Sequence, residues 1–230
     1  MKYKLTEETK EIYGRTLHRI VCVTAFASVS VGETGGWVES EKNLSQYGNA
    51  WVYDNAWVYG NAKVYDNAKV CGNAEVYDNA WVYGNAWVYG NAKVCDNAKV
   101  CGNAEVYGNA KVYDNAKVCG NAEVKQTSDY IVLKNCWGSG RYFTYTSSND
   151  KWHVGCFHGT GEKLIKKAYS ENELKGKCYE ASVKYVQEIM RLIKEAALWV
   201  VAVTATMFIV CSVMGGIALM IFGAVKWIGG

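Results

Sequence analysis

The chain has 230 residues, with 25 Lys and Arg against 22 Asp and Glu and a formal net charge of +3. That near-balance excludes a strong general attraction to nucleic acid, and no pronounced basic block restores one. The nine cysteines are odd in number, scattered and without a CxxC pair, which argues against a disulfide framework and for a reducing compartment; proline is absent.

Residues 1–46 are mixed in composition and read as N-terminal cap strands. The run IVCVTAFASVSV (20–31) imitates a signal peptide, but Glu7, Glu8 and Glu11 occupy the region that a signal keeps free of acid, so a cap strand is the better reading. Further on, Val38 and Leu44 keep the six-residue register of Ala50, so the first coil begins before the perfect repeat.

From Tyr47 to Val124 the unit [Tyr/Cys]-[Gly/Asp]-Asn-Ala-x-Val runs unbroken through thirteen copies. Ala and Val lie two apart and share one face of a strand, small and apolar enough for a narrow core. The residue between them and the Tyr or Cys that follows point outward. Gly-Asn and Asp-Asn accept left-handed backbone angles and turn a corner. A helix needs a period near 3.6, which a strict six with a corner pair defeats. Three strands and three corners therefore make one coil of 18 residues, and neighbouring coils stack about 4.8 Å apart.

That coil predicts three outward ladders: Trp51, Lys69, Trp87, Glu105 and Glu123; Trp57, Glu75, Lys93 and Lys111; and Lys63, Trp81, Lys99 and Lys117. The corner asparagines form further ladders. The varying letter repeats every 30 residues, out of step with 18, so equivalent letters land on different faces. The tract reads as a scaffold grown by duplication. Trp51, Trp57, Trp81 and Trp87 are the candidate binding face, since exposed aromatics favour interfaces. Cys101 and Cys119, 18 apart, are expected to stack as simple replacements of Tyr rather than as a redox site.

Residues 125–195 read as a small α+β domain with a hairpin over 141–157 that turns at SSND, then helices near 160–169 and 173–195. The second helix carries an apolar stripe through Leu174, Cys178, Ala181, Tyr185, Ile189, Leu192 and Ala196. In WHVGCFHGT (152–160), His153, Cys156 and His158 are weak candidates for a metal, with Cys136 as a fourth ligand; the spacing matches no standard zinc pattern. A strand ending in a turn is the plainer reading, and no metal, cofactor or catalytic residue is expected.

The stretches LHRI, GETGGWVESEKNLSQYGNAWV, SDYIVLKN and RYFTYTSSNDKWHVGCFHGT resemble a group of hexapeptide-repeat proteins of bacteria, phages and prophages, over roughly residues 1–190. The resemblance implies a left-handed parallel β-helix with a small α+β domain behind it, no established activity, and a homotrimer as in many fold relatives. Some hexapeptide β-helices are acyltransferases that use a His base. Here the only histidines are His18, His153 and His158, all outside the repeat, and no loop interrupts it to hold coenzyme A. The apolar tail departs from that group.

Residues 196–225 carry no charge, and 30 residues of helix span about 45 Å against about 30 Å of bilayer core. A transmembrane helix is expected in the tail, 196–230, with Trp199 and Trp227 as interfacial anchors and a bend at Gly215 and Gly216. Lys177, Lys184, Arg191 and Lys194 precede the span and only Lys226 follows, which keeps the bulk of the chain cytoplasmic. The expectation is a mainly β, membrane-tethered, non-enzymatic scaffold with an unidentified protein partner. Acyl transfer and a membrane-active or superinfection-excluding effector are the alternatives.

Overall fold

The computed structural model describes the backbone of residues 1–136 and 138–228, and their side chains except at 201, 202 and 204–228. It divides into two compact units, Met1–Tyr179 and Glu180–Gly230.

The first unit is built on a parallel β-solenoid. Strands β4 to β16 are thirteen two-residue strands, from Trp51–Val52 to Glu123–Val124. Each of the first ten pairs in parallel with the strand 18 residues on, as in Trp51↔Lys69, Trp57↔Glu75 and Lys63↔Trp81. The three predicted ladders form as read, one to each face. Every Ala and Val of the repeat is buried, and together they make one continuous core. Ala and Val suit that core because a three-sided coil leaves little room at its axis. The outward letter can therefore change without disturbing the packing.

The corners show which residue turns the chain. The Gly or Asp before each Asn takes positive φ, for example 70° at Gly48 and 52° at Asp54. At Gly48 a Cβ would lie 2.4 Å from the Asp66 carbonyl oxygen, so no side chain fits. Asp at a left-handed corner costs roughly 1 kcal/mol, and several of these carboxylates recover a coil-to-coil bond. Asp54 Oδ2 accepts from the Gly72 N–H at 2.9 Å, and Asp66 and Asp96 accept from Gly84 and Asp114. The asparagines make the expected amide ladders, such as Asn49 to Asn67 and Asn67 to Asn85, both at 3.0 Å. Cys101 and Cys119 stack as expected and are joined by a disulfide. This corrects the reading of them as inert replacements of Tyr, and it removes the lack of disulfides as a ground for a reducing compartment: the coil repeat brings two thiols within bonding distance.

A solenoid leaves unpaired backbone groups at both ends, a template for aggregation if uncovered. Here flanking residues close every face at each end. At the start, Lys2 Nζ donates to Ala50 O (2.7 Å), the Trp37 N–H to Ala56 O (2.9 Å) and Asn43 Nδ2 to Ala62 O (3.0 Å). At the finish, three hydroxyls accept the orphan amides: Thr127 from Lys111 (3.2 Å), Thr144 from Lys117 (2.9 Å) and Ser148 from Glu123 (2.8 Å).

β1 (Tyr3–Ile12) and β2 (Arg15–Cys22) form an antiparallel hairpin on β3 (Thr34–Val38), and β3 joins the second face through Val38↔Val58. Leu44 bridges to Val64, so the register begins before the perfect repeat. Behind the solenoid, β17 (Tyr130–Lys134), β18 (Tyr142–Thr146), β19 (Lys151–Val154) and β20 (Phe157–Gly159) form an antiparallel sheet in chain order. Helix α1 (Gly161–Glu171) follows, its first turn capped by the Thr160 hydroxyl.

Helix α2 runs Glu173–Ile228. Its buried apolar side chains are Tyr179, Val183, Val186 and Met190, whereas Leu174, Tyr185 and Leu192 are exposed. The buried stripe is thus the neighbouring one to that expected. Both stripes step by three and four, and within the first unit Tyr179 packs edge-on to Phe143 at 4.8 Å. In the second unit Lys184 pairs with Glu180, and Arg191 with Glu188 and Glu195. Leu198, Trp199, Val200 and Val203 are exposed, Trp199 by 73%. Among the described residues no helix is long and apolar enough to cross a membrane. The side chains of Gly215, Gly216 and Trp227, on which the membrane anchor was expected, lie outside the described residues.

Candidate functional site: a basic groove on the third face

The four tryptophans expected to form one binding surface do not do so. Trp51 is fully buried, edge-on to Tyr3 (6.1 Å) and Phe26 (5.5 Å), and Gly35 leaves room for it. The cap hairpin thereby covers a residue that the repeat alone points at water. Trp57 packs beside Leu17, Trp37 and Tyr59, with Lys10 Nζ 4.1 Å over its ring. Trp87 is 41% exposed on the first face, its indole N–H donating to Cys71 Sγ at 3.1 Å. Trp81 is alone among the four on the third face.

The third face carries a cleft. It encloses about 530 Å³ between the solenoid and the sheet behind it. The solenoid supplies Trp81, Tyr83, Lys99, Lys117 and the corner asparagines Asn79, Asn97 and Asn115; the sheet supplies Tyr142, Thr144 and His153. Thr144 fixes the join through its bond to Lys117, and His153 is its cross-strand partner on β19. Tyr142, two residues before Thr144, shares its face of the sheet.

The lining contains no Asp or Glu. Lys99 and Lys117 are in-register neighbours, where like charges repel. Lys99 leans to Trp81, its Nζ 4.4 Å from the ring centroid, and Lys63 sits 5.7 Å from the same ring. On the second face the corresponding lysine is neutralised instead: Lys93 Nζ lies 2.7 Å from Glu75. The Asn ladder also changes here. Asn61 bonds Asn79 and Asn79 bonds Asn97, but among the described residues no bond joins Asn97 to Asn115.

His153 and His158 stack across β19 and β20, ring centroids 4.1 Å apart. Burial, then the charges of His158 and Lys117, hold His153 down at about 4. Burial, with Lys151 and Lys117, lowers His158 as well. Both rings are therefore neutral near pH 7. His153 is only 7% exposed, and its Nε2 is buried without a hydrogen-bond partner. An unpaired polar atom at such a site costs about 1–3 kcal/mol.

Cys156, grouped with these histidines from sequence, is exposed in the turn between β19 and β20, and Cys136 is exposed too. Among the described residues no group of three or more His, Cys, Asp and Glu converges to hold a metal. Lys99, Lys117 and Thr144 were not singled out by sequence reasoning. The third ladder does show three lysines around one Trp with no acid, which was a legible signal. The wall from the sheet was not.

The family model described as YdcK Beta solenoid repeat matches residues 74–90, just under one coil. No curated protein matches the chain. The match and the strand register agree on one statement: this is a β-solenoid repeat protein.

Proposed function

We propose that the chain is a non-catalytic β-solenoid scaffold that binds through its outer faces and is held at a membrane by its C-terminal helix. The observation that carries this reading is the uninterrupted register from Trp51 to Val124. The whole core is Ala and Val, so the outer ladders are free to vary as recognition surfaces. Hexapeptide-class acyl transfer is less well supported. Its base here would be His153, which at about 4 is a weak base, and among the described residues no carboxylate bonds to orient either ring of the pair. The left-handed winding and trimeric state of the hexapeptide proteins that the sequence resembles belong to the same proposal.

The tether is supported by two features. Residues 196–225 carry no charge. Leu198, Trp199 and Val200 are consecutive and all exposed, so apolar side chains point in several directions round the helix. A single protein face covers one stripe, whereas lipid covers all of them. Flanking lysines favour a cytoplasmic solenoid.

The experiment is fractionation and native mass spectrometry of the full chain. The protein is expected in the membrane pellet, resistant to alkaline carbonate, and a version ending at residue 195 is expected in the soluble fraction. A truncated chain that stays with membranes overturns the tether. A specific protein that co-elutes from mild detergent supports the scaffold; saturable binding and turnover of a coenzyme A thioester overturns it.

A further inference from the structure

We infer that the groove on the third face is a binding site for a phosphomonoester-class dianion. The inference deepens the reading of the solenoid as a binding scaffold by naming the chemistry that this groove takes.

The first argument is charge. Lys99 and Lys117 line one cleft in register, with no acidic residue in its lining and no ion pair to either among the described residues. Strand spacing sets their backbones about 4.8 Å apart. Two neighbouring lysines with no counter-ion leave the groove with uncompensated positive charge. A phosphomonoester, carrying close to two negative charges at neutral pH and three acceptor oxygens, cancels both. A carboxylate cancels one.

The second argument is the polar lining. Thr144 Oγ1 already accepts the Lys117 N–H, which leaves its own hydroxyl proton to donate. Asn97 is not bonded onward to Asn115, so an amide donor is available where the ladder breaks. His153 lines the same cleft, more than nine-tenths buried, and its Nε2 has no partner. As the neutral tautomer protonated at Nε2, it donates without adding charge. Lysine, hydroxyl, amide and imidazole donors thus line one groove, and among the described residues Asn97 Nδ2 and His153 Nε2 have no protein partner. Trp81 gives Lys99 a resting place on its ring while the anion is absent.

The test uses the full-length protein, solubilised in a non-ionic detergent, with its histidine rings isotopically labelled. Two probes are titrated: inorganic phosphate, and a short-chain phosphatidic acid below its micelle concentration. The ring signals of His153 and His158 are expected to shift saturably while that of His18 stays still. Lys99→Ala and Lys117→Ala are each expected to weaken binding at least tenfold. Lys111→Ala, on the second face, is expected to leave it unchanged. Both lysines point out of the solenoid, so circular dichroism should show intact folds.

A response to both probes assigns the site to the phosphate group itself. A response to the lipid phosphate alone assigns it to a lipid headgroup, which still has the proposed chemistry. No saturable shift with either probe at millimolar concentration overturns the proposal, as does a shift that survives both lysine substitutions. None of these outcomes depends on whether a protein partner is captured or residues 196–230 hold the chain at a membrane, so the two readings fail separately.

Discussion

Trp51 and Trp87 occupy the same letter of the repeat on the same ladder, yet they have opposite surroundings. Trp51 is fully buried under the cap, and Trp87 is 41% exposed. Trp51→Ala is expected to lose about 3–5 kcal/mol, because it deletes a buried indole and leaves a cavity. Trp87→Ala is expected to stay within about 0.5 kcal/mol, as surface changes do. Urea unfolding of the two variants measures the difference. His153 gives a second expectation at this scale. Its folded value of about 4 lies below the usual 6.5, so between those values the unfolded chain binds the extra proton. Stability is then expected to fall as pH drops from 6.5 to 4, by a maximum on the order of 3 kcal/mol. His153→Gln should flatten that slope in unfolding curves taken across the window. An unchanged slope would mean that other groups carry the acid sensitivity.

At the scale of the element, the ends of the solenoid are its weak points. Two-residue strands make few bonds each, and the interior coils gain stability from a neighbour on both sides. The last coil has a neighbour on one side only, and Thr127, Thr144 and Ser148 replace the missing acceptors. Thr144→Val keeps the shape and removes the oxygen that receives the Lys117 N–H. It is expected to cost about 1–3 kcal/mol for the orphaned amide. The same change should speed hydrogen exchange at Lys117 while leaving Lys99, whose N–H bonds Ala116 O, protected. Equal protection at both amides would show that water or another group substitutes for the hydroxyl. The pattern that places three hydroxyls at three faces is invisible as a motif, because 127, 144 and 148 share no spacing with the repeat.

For the molecule as a whole, the Tyr position of the repeat makes stacks that run along the solenoid. Tyr59–Tyr77, Tyr65–Tyr83 and Tyr89–Tyr107 stack with centroids 5.1, 5.0 and 5.0 Å apart. Burial pushes these phenols up, Tyr65 and Tyr89 to about 12. Unfolded tyrosine ionises near 10, so above that value the unfolded chain releases protons that the folded one keeps. Stability is expected to hold up to about pH 10 and to fall as pH rises through 12. Unfolding by urea at successive pH values, with tyrosinate absorbance as the probe of ionisation, checks this. Ionisation of most tyrosines near 10 without loss of the fold would show that the stacks are open to solvent and contribute little.

Much of the architecture was legible because the repeat is both local and periodic. Six residues specify a strand and a corner, and three such units close a coil. Every pairing of the solenoid then follows by adding 18, as Lys63↔Trp81 and Lys99↔Lys117 do. The charge-free stretch of the tail is equally a property of the chain alone. What only the tertiary structure decided lies where the periodicity stops. The cap folds back over Trp51, and the sheet behind the last coil brings Thr144 and His153 against Lys99 and Lys117. Those contacts join residues with no common period, through packing and orphan hydrogen bonds at the ends. A repeat dictates its own interior, because each unit meets a copy of itself; its ends meet something else.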